Sequence, residues 1–226
     1  MRHEGFTPPH RNLGRAAAGA VFGLGVAYAA TMALGFRSLK SPQDPFGEPY
    51  FTLMELLILL MVPLMLVSLA AVHAYAPGPT KIYSLMALCC LAITTGLTSG
   101  VHFVVLTVSR PLQAAGLAGA PLLFDFNWPS VVYSLDILAW DWFFALAMLF
   151  AAPVFNTGRL EKILRILLIT SGVISLVGLL GVPLANMQVR NIGIIGYAVV
   201  GPVVFLLLGI LFNRTPTALA GAAPRQ

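Results

Sequence analysis

Charged side chains are scarce in this sequence, since Asp, Glu, Lys and Arg make up only 9% of the 226 residues. Hydrophobic residues account for 58% of the chain, and the mean hydropathy is +0.89. These values lie far outside the range of soluble globular domains. The scarcity of charge therefore excludes an ordinary soluble domain and predicts a membrane protein.

Cysteine and the familiar sequence motifs of catalysis are also nearly absent. The two cysteines, Cys89 and Cys90, are adjacent within an apolar run, and neighbouring cysteines rarely satisfy disulfide geometry. The sequence contains no CxxC, HExxH, GxGxxG or Walker pattern, so no motif predicts a redox, zinc-protease or nucleotide site. No cofactor can be named from the sequence.

Long apolar runs are the dominant feature of the chain. A helix needs about 20 apolar residues to cross the hydrocarbon core, and six runs meet this requirement. The predicted spans are 16–36, 51–76, 82–108, 129–153, 161–183 and 191–212. We predict an all-α integral protein of the cytoplasmic membrane, in which a six-helix bundle (16–213) lies between two short cytoplasmic tails (1–15 and 214–226). The lipid bilayer is its first partner.

The basic residues are distributed unevenly over the predicted loops. Nine Lys and Arg side chains fall on the side of the two tails, and four fall on the opposite side. The positive-inside rule then places both termini in the cytoplasm. The basic residues are scattered singly and form no patch, so nucleic acid is not a predicted partner.

The first span has a second interpretation as a signal peptide. Arg11 and Arg15 precede an apolar core, and Ala27-Tyr28-Ala29 resembles a cleavage site. The apolar stretch nevertheless runs on to Phe36. We interpret the span as a retained helix and leave cleavage as the alternative.

Small residues recur at a spacing that permits close helix packing. Gly19 and Gly23 form one GxxxG pattern, and Gly96 and Gly100 form another. Glycines four residues apart allow helix backbones to approach closely in membranes. We expect these faces to make contacts inside the bundle, with docking onto another membrane protein as the alternative.

Three acidic residues fall well inside predicted spans, where a charged side chain raises the free energy of membrane insertion. Glu55 lies in the second span, and Asp136 and Asp141 lie in the fourth. An aspartate at the middle of a membrane helix costs about 2.5–3.5 kcal/mol on the insertion scale. At about 1.5 Å per residue, Asp136 lies about 10 Å and Asp141 about 18 Å below the outer surface. Intramembrane ionisable residues are candidates for function.

A histidine is predicted to lie at the same depth as two of these acids. His102, in the outward-running third span, is about 9 Å below the outer surface, so it can share one layer with Glu55 and Asp136. Hydroxyl groups project within about 60° of the imidazole along the same helix: these belong to Thr95, Thr98 and Ser99. Hydroxyls that bond their own helix backbone are the alternative.

The two aspartates of the fourth span are predicted to face different neighbours. In a regular α-helix, residues five apart project about 140° from one another, so no single groove should receive both Asp136 and Asp141. Asp136 shares its face with Trp140. The fourth span should therefore be central, and Arg110 and Arg190, reaching down from the outer rim, are the candidate cationic partners.

Three functions fit these residues. The first is a cavity that binds a proton, cation or small polar ligand, with transport as one form of this function. Its residues are Glu55, His102, Asp136, Asp141, Arg110 and Arg190. The second is an intramembrane enzyme that uses acid/base chemistry or a metal, held if at all by Glu55, His102 and Asp136. The third is a non-catalytic subunit or assembly factor, in which the acids join helices and the Gly19/Gly23 or Gly96/Gly100 face docks on a partner.

Overall fold

The computed structural model describes residues 6–41, 46–109, 111–112, 115–116 and 119–217. Regular structure in these ranges is helical throughout, and six helices are long and apolar enough to span a membrane. This confirms the predicted all-α class and the number of spans. The helices are α1 (Pro8–Ser38), α2 (Tyr50–Tyr75), α3 (Gly78–Ser109), the short α4 (Ala120–Phe124), α5 (Val131–Val154), α6 (Gly158–Leu179) and α7 (Met187–Arg214).

Among the helices that begin earlier than the apolar runs predict, α1 and α7 have an identifiable local cause. Helix α1 begins at Pro8 rather than at residue 16, because proline suits the first turn of a helix, where its missing N–H is not needed. Helix α7 begins at Met187 rather than at residue 191, since the side-chain oxygen of Asn186 accepts hydrogen bonds from the first backbone N–H groups. The α7 start places Arg190 inside a helix instead of in a loop.

The described ends of the chain meet at one end of the bundle. The Phe6 ring packs 5.5 Å from the Tyr75 ring and 5.7 Å from the Phe212 ring, measured between centroids. The guanidinium of Arg15 donates to Asn213 Oδ1 at 2.9 Å. We call this end of the bundle, where α1 begins and α7 ends, the terminal end, and the opposite one the far end.

Helix α5 is the most enclosed of the six spans. Its most apolar stretch is 61% buried, against 39% or less in the other five. It packs against α3 and α6, while α1 packs against α2 and α7. Large apolar side chains face outward from the surrounding helices, for example Leu60 at 60% and Ile166 at 62% exposure. Such an apolar exterior suits a hydrocarbon environment.

Three of the spans contain a turn of π-helix. These turns are Val105–Ser109 in α3, Leu138–Phe144 in α5 and Ile195–Val200 in α7. Hydroxyls from neighbouring helices donate to carbonyls within two of them: Thr94 Oγ1 to Ala139 O at 3.2 Å, and Ser171 Oγ to Gly196 O at 2.8 Å. Irregular backbone at membrane depth is tolerated where protein groups bond it in this way.

The predicted glycine contacts do not form inside the bundle. Each of the four glycines is exposed, and a Cβ atom added to it would meet nothing within 4 Å: Gly19, Gly23, Gly96 and Gly100. The prediction of packing through these GxxxG faces was wrong, although the backbone N of Gly19 lies close to Gly209 of α7. The close approach occurs between α6 and α7, where a Cβ added to Gly178 would lie 2.5 Å from the N and Cα atoms of Gly193.

We expect Gly178→Ala to destabilise the protein, because its methyl group would collide with the α7 backbone. Overpacking of this kind typically lowers the free energy of unfolding by about 1–3 kcal/mol. Gly96→Ala is the matched control, since it makes the same change on an open face and should be neutral or slightly stabilising. Unfolding of the two variants in detergent measures the difference, and equal stabilities would contradict the packing described.

Candidate functional site

Five ionisable side chains form a buried network in the half of the bundle toward the far end. They come from four spans, α2, α3, α5 and α7, and are at most 6% exposed: Glu55, His102, Asp136, Asp141 and Arg190. The structure thus brings together five of the six residues proposed from sequence as ligand-binding or proton-relay groups. The sixth, Arg110, lies outside the described residues.

The imidazole of His102 stands between two carboxyl groups. Its Nδ1 lies 2.7 Å from Glu55 Oε2, within hydrogen-bond distance. Its Nε2 lies 3.6 Å from Asp136 Oδ1, which is too long for a hydrogen bond. The two carboxyl groups therefore approach opposite nitrogens of one ring, which is the arrangement that a proton relay requires.

Arg190 continues the network on the other side of Asp136. Its Nε lies 3.2 Å from Asp141 Oδ2, and its NH2 lies 4.0 Å from Asp136 Oδ2. Its NH1 donates to the hydroxyl of Tyr133 at 3.3 Å, and the guanidinium lies 5.1 Å from the centroid of that ring. A single guanidinium thus pairs with both aspartates. The network extends from Glu55 to Asp141, with a gap of 3.6 Å between His102 Nε2 and Asp136 Oδ1.

The prediction that the two aspartates face different neighbours was wrong. It assumed a regular α-helix, but the π turn Leu138–Phe144 follows directly after Asp136 and contains Asp141. In a π-helix the hydrogen bonds join residues five apart, so residues i and i+5 come onto one side. Asp136 and Asp141 are five apart, and both reach Arg190.

The four residues predicted to support the site lie in different environments. Trp140 lines the cavity beside the network, and Thr98 is fully buried within α3. Thr95 instead donates to the carbonyl of Val62 at 3.3 Å and joins α3 to α2. Ser99 is only half-buried. The hydroxyl face of α3 therefore serves packing between helices at least in part, a role that differs from the predicted bonding of each hydroxyl to its own helix backbone.

A cavity of about 280 Å³ adjoins the network between α1, α2, α5 and α7. The part of the cavity nearest the far end of the bundle is lined by His102, Asp136, Arg190 and Tyr133. The part deeper in the bundle is lined by Met65 and Phe205. Sequence reasoning missed the aromatic residues that complete its walls: Tyr28, Phe126, Tyr133 and Tyr197. For Tyr133 a signal was present, because it precedes Asp136 by one helical turn.

The charges of the network do not balance without an additional positive charge. Three carboxyl groups face one guanidinium, which is always protonated, and one imidazole, which can be neutral or protonated. With all three acids ionised, the sum is −2 for neutral His102 and −1 for protonated His102. Uncompensated charge in low dielectric is strongly disfavoured, so the network has the capacity to hold at least one exchangeable proton.

The arrangement does not resemble a metal site. No group of three or more His, Cys, Asp or Glu residues is placed to hold a metal ion within the part of the chain that the structure describes. Glu55 and Asp136 approach opposite nitrogens of His102, so the three side chains do not converge on one point. The metal site considered for these three residues has no geometric support.

Comparisons with known protein families, with characterised proteins and with solved structures find no match for this chain. Its function is therefore inferred from the network and the cavity themselves.

We expect Arg190→Met to destabilise the protein strongly, because it leaves Asp136 and Asp141 buried without their cation. Removing one partner of a buried ion pair typically costs about 3–5 kcal/mol. The double variant Arg190→Met/Asp141→Asn removes an opposite charge as well and should recover part of the loss.

The exposed Arg159 provides the matched control, since Arg159→Met should change stability by no more than about 0.5 kcal/mol. Denaturant unfolding of the four proteins in detergent measures these effects. If Arg190→Met were as stable as Arg159→Met, the network would not hold the helices together.

Proposed function

We propose that this protein is a multi-pass protein of the cytoplasmic membrane that binds an exchangeable proton and links it to a small ligand in the adjoining cavity. The observation that carries this proposal is the position of His102 between Glu55 and Asp136, at the centre of a buried network with unequal charges. Movement of the ligand across the membrane together with the proton is the transport form of the same proposal.

A proton is the simplest species that this geometry can handle. An imidazole can accept a proton at one ring nitrogen and release another from the opposite nitrogen. Glu55 and Asp136 each stand at one of these nitrogens, so His102 can pass a proton between them. The proton then compensates whichever carboxylate would otherwise be left ionised.

A purely structural role for the network is less well supported. Buried polar groups that only join helices are normally hydrogen-bonded on all sides. Here His102 Nε2 and Asp136 Oδ1 are buried without a hydrogen-bond partner among the described residues. Both residues line the cavity, where a ligand would supply the missing hydrogen bonds.

The subunit or assembly-factor alternative draws on one other observation. The exposed Gly19/Gly23 and Gly96/Gly100 faces are open to another membrane helix. In that alternative the acids only hold the bundle together, and amide replacements of the same shape should be tolerated. Acid/base catalysis would use the same imidazole and carboxyl groups but has no separate observation in its favour.

We expect His102→Gln to reduce proton uptake by about one proton per molecule between about pH 11 and about pH 5, because glutamine has no group that ionises. Uptake is measured on purified protein in unbuffered detergent solution. His10→Gln is the control, because it makes the same change at the terminal end of the bundle, beside Phe6 and far from the network. It should leave the carboxyl groups of the network unaltered.

Infrared spectra separate the two variants. A carboxyl C=O band that responds to pH in the wild type should disappear or shift in Glu55→Gln, Asp136→Asn and His102→Gln, and it should persist in His10→Gln. Correctly folded network variants that retain the wild-type band would contradict the proposal.

The charge distribution of the loops also gives a testable orientation. With both termini in the cytoplasm, the far end and its network lie toward the outside. Alkaline phosphatase, which is active only outside the cytoplasm, should be active when fused after Ser41 and inactive when fused after Thr217. The reverse pattern would place the network in the inner half of the membrane.

A further inference from the structure

We propose that the cavity binds one neutral amphipathic molecule from the bilayer, with a flat ring head that carries hydroxyl or carbonyl oxygens and an apolar tail. Quinols, quinones and alkylphenols belong to this class. The inference names the ligand of the proposed proton-linked site and in that respect rests on the proposed function. Its evidence is the shape and chemistry of the cavity.

The cavity is polar at one end and apolar at the other. Arg190, Asp136 and His102 line the end nearest the far end of the bundle. The wall formed by α7 then runs from Arg190 to Phe205, about 22 Å at about 1.5 Å per residue. Around Phe205 the other walls are apolar, with Val21 of α1 and Met65 of α2. A ligand with a polar head and an apolar tail matches this order.

The cavity opens sideways between α1 and α7. The two helices are close toward the terminal end, where a Cβ added to Gly209 would lie 3.7 Å from the backbone N of Gly19. They are in contact again where a Cβ added to Gly25 would lie 3.4 Å from Pro202 Cγ. One turn beyond this contact, Ala29 of α1 and Ala198 of α7 both line the cavity and are exposed. In a membrane this opening faces hydrocarbon, so it admits a molecule dissolved in the bilayer.

The polar end can both donate and accept hydrogen bonds. His102 Nε2, Asp136 Oδ1 and Arg190 NH2 are buried without a hydrogen-bond partner among the described residues, and all three residues line the cavity. The guanidinium donates, an ionised carboxylate accepts, and the imidazole does either. Hydroxyl and carbonyl oxygens complement this set.

The charges at the polar end disfavour an ionic head. Arg190 and Asp136 line the cavity, whereas Glu55 and Asp141 do not. Once exchangeable protons compensate the excess negative charge of the network, a cationic head would be repelled by Arg190 and an anionic head by Asp136. An ion would also lose its hydration on entering an apolar site. A neutral head avoids both penalties.

Aromatic rings surround the place where the head would lie. The rings of Trp140 and Tyr197 lie 5.1 Å apart, and the ring of Phe126 lies 5.4 Å from the imidazole of His102, measured between centroids. Aromatic faces and edges pack well against another flat ring. The walls therefore favour a ring over an open-chain alcohol.

Four probes that share a decyl chain and differ in the head test this inference. They are decylbenzoquinone, decanol, decyltrimethylammonium and undecanoate, each added to the full-length protein in nanodiscs. Binding to the folded state raises the Tm in a concentration-dependent manner. We expect decylbenzoquinone to raise the Tm at the lowest concentration. An equal or larger effect of either ionic probe, or of decanol, would overturn the proposed head chemistry.

Two variants test the position of the ligand. Ala198→Phe fills the opening between α1 and α7 and should weaken decylbenzoquinone binding about tenfold or more. Ala92→Phe is the matched control, because Ala92 is also exposed but lies on α3 away from the cavity, and it should bind like the wild type. Equal affinities of these two variants would exclude the lateral opening.

Tyr133→Phe removes the hydroxyl that holds Arg190 at the polar end and should weaken binding about two- to tenfold. Proton uptake without any probe separates this inference from the proposed function. Normal uptake with no decylbenzoquinone binding overturns the ligand class alone. Binding that depends on Ala198, with no titration of the network, overturns the proton proposal and leaves the lipid site in place.

Discussion

The burial of one guanidinium between two aspartates is the interaction on which the rest of the site depends. Three carboxyl groups at membrane depth are too costly to leave without a cation, and Arg190 supplies the permanent one. It joins α7 to α5 through Asp136 and Asp141, while His102 and Glu55 continue the network to α3 and α2. Four of the six spans are thereby held in one relative arrangement.

This pairing depends on irregular helix geometry. Two aspartates five residues apart reach the same cation only because α5 contains a π turn, and the carbonyl of Ala139 in that turn receives a hydrogen bond from Thr94. Helix α7 accommodates the pairing through a glycine, since any Cβ on Gly193 would collide with Asp141 Oδ1. The small residues that matter for packing therefore lie around the charged network.

The sequence predicts the spans and one layer of the site, and its limits have physical causes. Apolar run length identifies six spans, and helix rise alone places Glu55, His102 and Asp136 at one depth. The pairing of both Asp136 and Asp141 with Arg190 depends on a π turn. Contacts with other helices stabilise this turn, and no local sequence pattern predicts it. The position of Arg190 depends on the cap at Asn186, a polar residue that also suits a loop.

The incomplete hydrogen bonding of the network lowers the stability of the protein. A buried polar atom without a partner costs about 1–3 kcal/mol, yet His102 Nε2 and Asp136 Oδ1 stand 3.6 Å apart beside the cavity. A network built only for stability would close this gap, since a small shift of either side chain would form the hydrogen bond. Keeping these atoms apart lowers stability but leaves a donor and an acceptor directed at a ligand. In the proposed function, the protonation of His102 determines whether the imidazole donates or accepts a hydrogen bond, and this would connect the proton to the ligand in the cavity.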